Sequence, residues 1–234
     1  MTLFEDKTKF SVCDDVYIVG GQSITSSEDC CVYLVDGKDE LALIDSGLGM
    51  TFEKIVENIR YIGFNPKNIS TLITTHNHID HIGSHCYFQK KFGTKIIAHE
   101  LDSDAIEKGG TATAAKLYGI IYVPCHVDVK LKLEDERVKV GKHELVCLHT
   151  PGHTPGSISV LLVMEKLKVL FAQDVHGPFS SAWGSNIEQW KNSVSRLIGL
   201  DADVLCEGHF GVFKPAENVR KYLREQLNTK AFLL

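Results

Sequence analysis

Three histidines and an aspartate lie within six residues of the stretch THNHIDHIG, residues 75–83. Imidazole nitrogens and carboxylate oxygens are good ligands for zinc, iron and manganese, so this composition indicates metal binding. In an extended segment, residues two apart point to the same side, and His76 and His78 can therefore bind one ion together. A turn at Asp80 would direct Asp80 and His81 toward a neighbouring position. One short loop can thus serve two metal ions.

Two metal ions held in this way would provide hydrolytic chemistry. A carboxylate that bridges two cations keeps them about 3.5–4 Å apart, and zinc lowers the pKa of a bound water to about 7. A nucleophile would then exist at neutral pH without a reactive serine or cysteine. The alternative interpretation is a polar loop whose histidines cluster by chance, and so short a motif does not exclude it by itself.

The first half of the chain must position this loop, and its pattern is that of strands followed by a helix. Apolar runs of strand length, bounded by turn residues, cover residues 16–21, 30–37 and 41–47. Residues 51–64 carry apolar side chains at helical spacing, and the short strand 70–75 runs directly into the histidine cluster. This order predicts a β-meander, then a helix, then the strand that presents the loop.

The second half repeats the order of strands and helices. After a strand at residues 94–100, the weakly patterned segment 109–125 is interpreted as a mobile cap. Strands are predicted at 127–133, 143–150, 157–163, 168–174 and 203–209. A helix follows a capping box formed by Ser185 and Glu188, and a last helix begins at Pro215. Two β-rich halves covered by helices suggest two sheets packed face to face, although periodicity alone leaves several topologies open.

Composition limits the classes of function. The chain has 234 residues, 44% of them apolar, and a formal net charge of -5 without a run of basic residues. We therefore expect one domain spanning residues 1–234, and neither nucleic acid nor a membrane as partner. The first residues contain neither a basic start nor a long apolar run, so we expect a cytoplasmic protein. The seven cysteines lack CxxC spacing and are interpreted as reduced core residues.

The histidine cluster matches the HxHxDH signature of the metallo-β-lactamase fold superfamily, and the resemblance extends from LIDSG (43–47) to EGH (207–209). Four further motifs occur in the expected order, each at a strand end. They contain Asp45 in LIDSG, His153 in HTPGHTPGS, Asp174 in LFAQDV and His209 in EGH. The resemblance implies an α/β fold, the four-layered αββα sandwich with two mixed sheets face to face and helices outside.

The resemblance also implies a ligand set for two divalent metal ions, with zinc favoured and iron or manganese as alternatives. His76, His78 and His153 would hold the first ion. Asp80, His81 and His209 would hold the second, and Asp174 would bridge the two. Asp80 would also carry a proton as the reaction intermediate collapses. Asp45 would orient a ligand or the loop, and a simple turn residue is the alternative.

Five side chains are candidates for contact with a small-molecule substrate. His176 lies two residues beyond Asp174, on a loop that continues to Trp183, and a solvated loop histidine is the alternative. Tyr118 and Tyr122 in the cap, together with Phe179 and Trp183, would line a pocket between the cap and this loop. Core packing is the alternative for each aromatic residue.

Among members of the superfamily, the pattern is similar to glyoxalase II-like thioesterases, lactonases and persulfide dioxygenases. Asp174 differs from the cysteine that many β-lactamases carry in the fourth motif. His78 differs from the glutamate of flavin-linked di-iron relatives. We expect a dinuclear metal hydrolase that uses a metal-bound hydroxide to cleave a thioester or lactone. The alternatives are a persulfide dioxygenase-like enzyme with a single iron and a promiscuous β-lactam or ester hydrolase. The sequence leaves the oligomeric state open.

Overall fold

The computed structural model describes residues 7–172 and 174–230, so the predicted domain limits at residues 1 and 234 lie outside the described ranges. A seven-stranded sheet contains its strands in chain order. They are β1 (Ser11–Cys13), β2 (Val16–Gly20), β3 (Val32–Asp36), β4 (Leu41–Ile44), β5 (Ile69–Ile73), β6 (Lys95–His99) and β7 (Val129–Leu131). The strands β1 to β4 pair antiparallel, whereas β4 to β7 pair parallel.

A six-stranded sheet is formed by the second half of the chain. Its strands are β8 (Asp135–Val140), β9 (His143–His149), β10 (Ile158–Val163), β11 (Lys168–Phe171), β12 (Val204–Cys206) and β13 (Val212–Phe213). Their spatial order is β13-β12-β11-β10-β9-β8. The pair β11 and β12 is parallel, and the other pairs are antiparallel.

The sheets pack against each other through one face and against helices through the other. In β3, Tyr33 and Val35 belong to the core between the sheets, whereas Val32 and Leu34 pack against helices. Both faces are buried, which explains why such strands appear in the sequence as continuous apolar runs rather than as an alternation.

Helices form the two outer layers. The first sheet is covered by α1 (Phe52–Tyr61), α3 (His85–Phe92) and α4 (Glu100–Lys108), and the second by α5 (Ile187–Gly199) and α6 (Ala216–Lys230). The one-turn helix α2 (Ile79–Ile82) lies inside the histidine motif. The predicted αββα sandwich is confirmed. No described helix is both long enough and apolar enough to cross a bilayer.

Several local predictions were incomplete or wrong. The helices α3 and α4 and the strand β8 were not predicted, and the cap segment contains two short 3-10 helices, Thr111–Thr113 and Ala115–Tyr118. The N-cap of α5 is Asn186, whose side chain accepts from the N–H of Gln189. Ser185 instead donates its hydroxyl to the carbonyl of His153 at 2.6 Å. This serine therefore supports the loop that carries His153.

The carboxyl ends of six strands meet at one edge of the sandwich. In the first sheet β4, β5 and β6 are parallel, and in the second β9, β11 and β12 run in one direction. Every candidate metal ligand follows one of these strand ends. Side chains distant in sequence meet here because loops at the carboxyl ends of parallel strands share an edge.

Candidate metal centre

Three histidines from two loops turn one ring nitrogen each toward the same point. After β5 the chain is extended at His78, with φ -73° and ψ 146°. Nδ1 of His78 lies 3.1 Å from Nε2 of His76 and 2.9 Å from Nε2 of His153. All three rings are at most 5% exposed. Three imidazole nitrogens converging in a buried position fit the ligand set of a metal cation.

A second group lies beside the first and contains Asp80, His81, Asp174 and His209. The single turn of α2 brings Asp80 and His81 to this side. Nε2 of His209 is 3.1 Å from Oδ2 of Asp80 and 3.2 Å from Oδ2 of Asp174. Two imidazoles and two carboxylates form a donor set suited to zinc, iron or manganese.

Asp174 faces both groups. Besides its contact with His209, its Oδ2 lies 3.7 Å from Nε2 of His153 in the first group. Its other oxygen, Oδ1, is 3.3 Å from Nε2 of His81, yet both of these buried atoms lack a hydrogen bond in the described part of the chain. Buried polar atoms without partners are rare, and a cation between them would satisfy both. The residues present therefore fit two ions that share Asp174.

Burial favours the protonation state that metal binding requires in the first group. It lowers the pKa of His153 to about 3 and that of His78 to about 4, and neighbouring histidines add to the effect. Both rings are thus neutral near pH 7 and can offer a lone pair. Burial acts in the same direction on His209, but the Asp174 and Asp80 carboxylates outweigh it and raise the pKa to about 10. A bound cation would replace that proton.

Asp45 connects the second group to β4 and β5. Its backbone is left-handed, with φ 61°. Its Oδ1 accepts from the N–H of Thr75 at 2.8 Å, and its Oδ2 accepts from the hydroxyl of Thr75 at 2.7 Å. Oδ2 also lies 2.8 Å from Nδ1 of His81. This contact fits the expected orienting role, and the conformation is equally that of a turn.

Four of the five candidate substrate-contacting residues surround the two groups. Three of them have rings close to ligand rings. The distance between ring centroids is 4.6 Å for Trp183 and His78, 6.2 Å for Phe179 and His153, and 5.4 Å for His176 and His209. Tyr118 lies near Asp80. Burial raises the pKa of the Tyr118 hydroxyl, and the Asp80 carboxylate raises it further. This phenol therefore stays protonated near neutral pH.

Tyr122 is placed differently. Its hydroxyl donates to the carbonyl of Ile106 at 2.9 Å, and its ring packs against the core beneath α3 and α4. The structure therefore does not bring Tyr122 to the metal groups, and its contacts correspond to the core-packing alternative.

Two buried acidic residues that sequence reasoning missed hold the ligand loops. Glu207 is 0% exposed, and its Oε2 accepts from the N–H groups of His209 and Phe210 at 2.7 and 2.8 Å. Its Oε1 lies 2.7 Å from Nδ1 of His176, which fixes this ring beside His209. Asp102 of α4 accepts hydrogen bonds from both loops of the first group. A signal for Glu207 was available, because it interrupts an apolar strand end two residues before His209.

Known proteins resemble this chain in sequence and in fold. A probable metallo-hydrolase of Methanocaldococcus jannaschii is 31% identical over 183 residues, which cover 76% of this chain and 85% of the relative. The hydroxyacylglutathione hydrolase GloC of Haemophilus influenzae is 29% identical over 154 residues, covering 65% of this chain and 68% of GloC.

Solved structures share the fold. A class B3 di-zinc metallo-β-lactamase from an Alaskan soil metagenome superposes with a TM-score of 0.78 at 24% identity, covering 98% of this chain and 95% of that enzyme. The profile of the metallo-β-lactamase superfamily matches residues 28–209, a range that contains both metal-directed groups. The chain therefore belongs to the metallo-β-lactamase superfamily.

Proposed function

We propose that the chain is a dinuclear metal-dependent hydrolase that cleaves an activated ester, either a thioester or a lactone. The observation that carries the proposal is the position of Asp174, whose Oδ2 lies 3.2 Å from Nε2 of His209 and 3.7 Å from Nε2 of His153. Two ions sharing this carboxylate would polarise the substrate carbonyl and supply a water with a pKa of about 7. The histidine-rich donor set favours zinc, and iron or manganese would accept the same ligands.

The side chains around the groups have separate tasks in this proposal. Trp183 and Phe179 cover the three-histidine group and exclude water from that side. The protonated hydroxyl of Tyr118, beside Asp80, is a donor for a substrate oxygen. Asp80 would hold the second ion through one carboxylate oxygen, and its other oxygen would carry a proton from the attacking water to the leaving sulfur or oxygen.

The thioester arm of the proposal has support from a relative. GloC is named for the hydrolysis of hydroxyacylglutathione, which is a thioester, and it is 29% identical to this chain. The lactone arm rests on the same chemistry, because in both substrates a hydroxide attacks an acyl carbon and expels a thiolate or an alkoxide.

Two other activities remain as outcomes to be tested. Solved β-lactamases such as the 24% identical di-zinc enzyme share the fold, so β-lactams belong in any substrate panel. A persulfide dioxygenase-like enzyme would use a single iron, whereas the four side chains of the second group support a second ion. Counting the metal ions per chain therefore separates a one-iron dioxygenase from a two-metal hydrolase.

The test is a substrate panel on the chelator-stripped protein, reconstituted separately with zinc, iron and manganese. The panel contains thioesters, lactones, β-lactams and a persulfide with oxygen electrode detection. We expect thioester or lactone hydrolysis with two ions per chain, and its loss in Asp174→Ala. Hydrolysis confined to β-lactams, or oxygen uptake with one iron per chain, would replace the proposal.

A further inference from the structure

Asp102 is a buried carboxylate in the first turn of α4. It is 1% exposed, whereas Asp104, two residues later on the same helix, has an exposed side chain. Its Oδ2 accepts from the N–H of Asn77 at 3.1 Å and from the hydroxyl of Thr154 at 2.7 Å. Its Oδ1 accepts from the N–H of Gly156 at 2.7 Å. Three donors thus satisfy a carboxylate that no solvent reaches.

The three donors belong to the two loops that carry the first metal group. Asn77 lies between His76 and His78, and Thr154 directly follows His153. Asp102 itself follows β6, so its carboxylate joins a third strand end to both loops. It accepts from the backbone N–H between His76 and His78, and from the Thr154 hydroxyl and the Gly156 N–H just after His153. These bonds fix the positions from which the three imidazoles converge.

Position 156 is adapted to this contact. A Cβ atom at Gly156 would lie 2.6 Å from Cγ of Asp102 and 2.7 Å from its backbone nitrogen, well inside van der Waals contact. Ser157 adds a hydroxyl that lies 2.8 Å from the Thr154 hydroxyl and accepts from the Thr154 N–H at 2.9 Å. The missing side chain at Gly156 therefore leaves room for the Asp102 carboxylate, and Ser157 holds in place the Thr154 hydroxyl that donates to it.

We propose that Asp102 is a positioning residue for the first metal ion, acting through the backbone of the His76–His78 and His153 loops. The inference rests on the proposed function, since it requires that the three histidines bind a metal. Outer residues that orient ligands commonly contribute ten- to hundred-fold to metal affinity. Asp102 contacts the loops rather than the imidazoles, so it acts on the distances between the three nitrogens.

The test compares Asp102→Asn with Asp104→Asn, the same substitution at an exposed position of the same helix. An asparagine has only one acceptor oxygen and turns an NH₂ group toward a donor, so at least one of the three hydrogen bonds to the loops is lost. Cobalt(II) is added to the chelator-stripped proteins, and its affinity is measured by chelator competition together with the visible spectrum. We expect the first cobalt to bind Asp102→Asn about 10- to 100-fold more weakly with an altered spectrum. Asp104→Asn should match the wild type.

A purely structural role would give a different result. It would lower the thermal midpoint of the metal-free protein while leaving cobalt affinity and spectrum unchanged, and that outcome would overturn the inference. If Asp102→Asn does not fold, Thr154→Val and Thr154→Ser take its place. The valine removes one donor to Asp102 and should weaken cobalt binding, whereas the serine keeps the hydroxyl and should restore it. Equal cobalt affinity in these two variants would also overturn the inference.

Failure of the proposed function would be visible separately. A wild-type protein that binds two cobalt ions but hydrolyses no ester in the panel contradicts the proposed activity. The comparison of cobalt affinities between Asp102→Asn and Asp104→Asn is independent of which substrate is cleaved.

Discussion

Oδ2 of Asp45 lies 2.8 Å from Nδ1 of His81, and this contact determines which nitrogen of the ring faces the second metal group. A carboxylate can only accept, so it stabilises the tautomer with the proton on Nδ1 and a lone pair on Nε2. Nε2 lies 3.3 Å from Oδ1 of Asp174. Asp45, in the loop after β4, thus sets the tautomer of His81, a ligand in the loop after β5.

Substitution Asp45→Asn should weaken the second ion in particular. The asparagine can turn its NH₂ group toward Nδ1, which favours the tautomer with the proton on Nε2, the atom that should bind metal. We expect a loss of roughly 10- to 100-fold in affinity for one ion and a similar loss in kcat/KM. Chelator competition measures the affinity, with the exposed Asp39→Asn as control. Equal affinities in the two variants would contradict the orienting role.

Removal of single ligands should distinguish the shared carboxylate from a ligand of one ion. Asp174→Ala removes a carboxylate that faces both groups, so metal content should fall well below two ions per chain. His153→Ala should reduce mainly the first ion. Elemental analysis after dialysis against a dilute zinc buffer gives the count, and His126→Ala, an exposed histidine, is the control. Retention of both ions by Asp174→Ala would refute the bridging assignment.

Chelation should destabilise the protein. Without cations, the buried carboxylates of Asp80 and Asp174 lack counter-charges other than the neighbouring histidines. An ion present at about 1,000 times its Kd contributes roughly 4 kcal/mol, which corresponds to about 10 °C in Tm for a domain of this size. Differential scanning calorimetry with and without chelator measures the shift, and re-addition of zinc should reverse it. An unchanged Tm would mean that the folded chain does not bind metal.

Substrate choice should depend on the aromatic residues beside the metals. Trp183→Ala, Phe179→Ala and Tyr118→Phe should each change the ratio of kcat/KM between two esters by several-fold while leaving metal content near the wild-type value. Tyr122→Phe is the matched control, because the Tyr122 hydroxyl bonds to Ile106 away from the groups. If only the control variant changed the ratio, the specificity pocket would lie behind the cap.

Acid should remove the stabilisation provided by Asp15. Burial alone would raise the pKa of this carboxyl, but hydrogen bonds from Lys142, Lys38 and His143 outweigh it and lower the pKa to about 2. Because the folded pKa lies below the unfolded value, the contribution is complete above about pH 5 and is lost as the pH falls toward 2. Because its lysine partners are half-exposed and screened by solvent, the stabilisation from Asp15 should amount to about 1 kcal/mol at pH 7.

The variant Asp15→Asn measures this contribution. Asp15 has φ 61°, and asparagine also tolerates left-handed backbone, so the substitution tests charge rather than strain. Urea unfolding at pH 7 and pH 3 should show a difference from the wild type that is smaller at pH 3. The exposed neighbour Asp14→Asn should show little difference at either pH. A difference that grows toward pH 3 would contradict the assigned direction.

The sequence predicted those parts of the centre that have a chemical signature. Histidines spaced as in residues 76–81 are rare without a metal, and the strands that present them are apolar on both faces. The helices α3 and α4 were missed because they have only eight and nine residues, and their buried positions include His85, Asp102 and Ser103, so neither carries an apolar stripe at helical spacing. The strand β8 was missed because four of the six residues in DERVKV are charged, which hides the alternation of exposed and more buried positions.

Asp102 and Glu207 were not predicted for a different reason. Glu207 gave a weak signal because it interrupts an apolar strand end. An acidic residue early in a helix, such as Asp102, looks like an ordinary surface charge, and only the fold shows what surrounds it. Asp102 becomes recognisable when Gly156 is seen against its carboxylate, although the two lie 54 residues apart. Contacts of this kind depend on how the two sheets are docked, which local sequence does not encode.

The seven metal-directed side chains are divided between the two sheets. Four follow β5 in the first sheet, and three follow β9, β11 and β12 in the second. Bound ions would therefore cross-link the two sheets without a covalent bond. If the backbone were cut within residues 109–125, one fragment would keep four ligands and the other three. Reassociation of the fragments would then depend on zinc, so the centre would govern assembly of the chain as well as its chemistry.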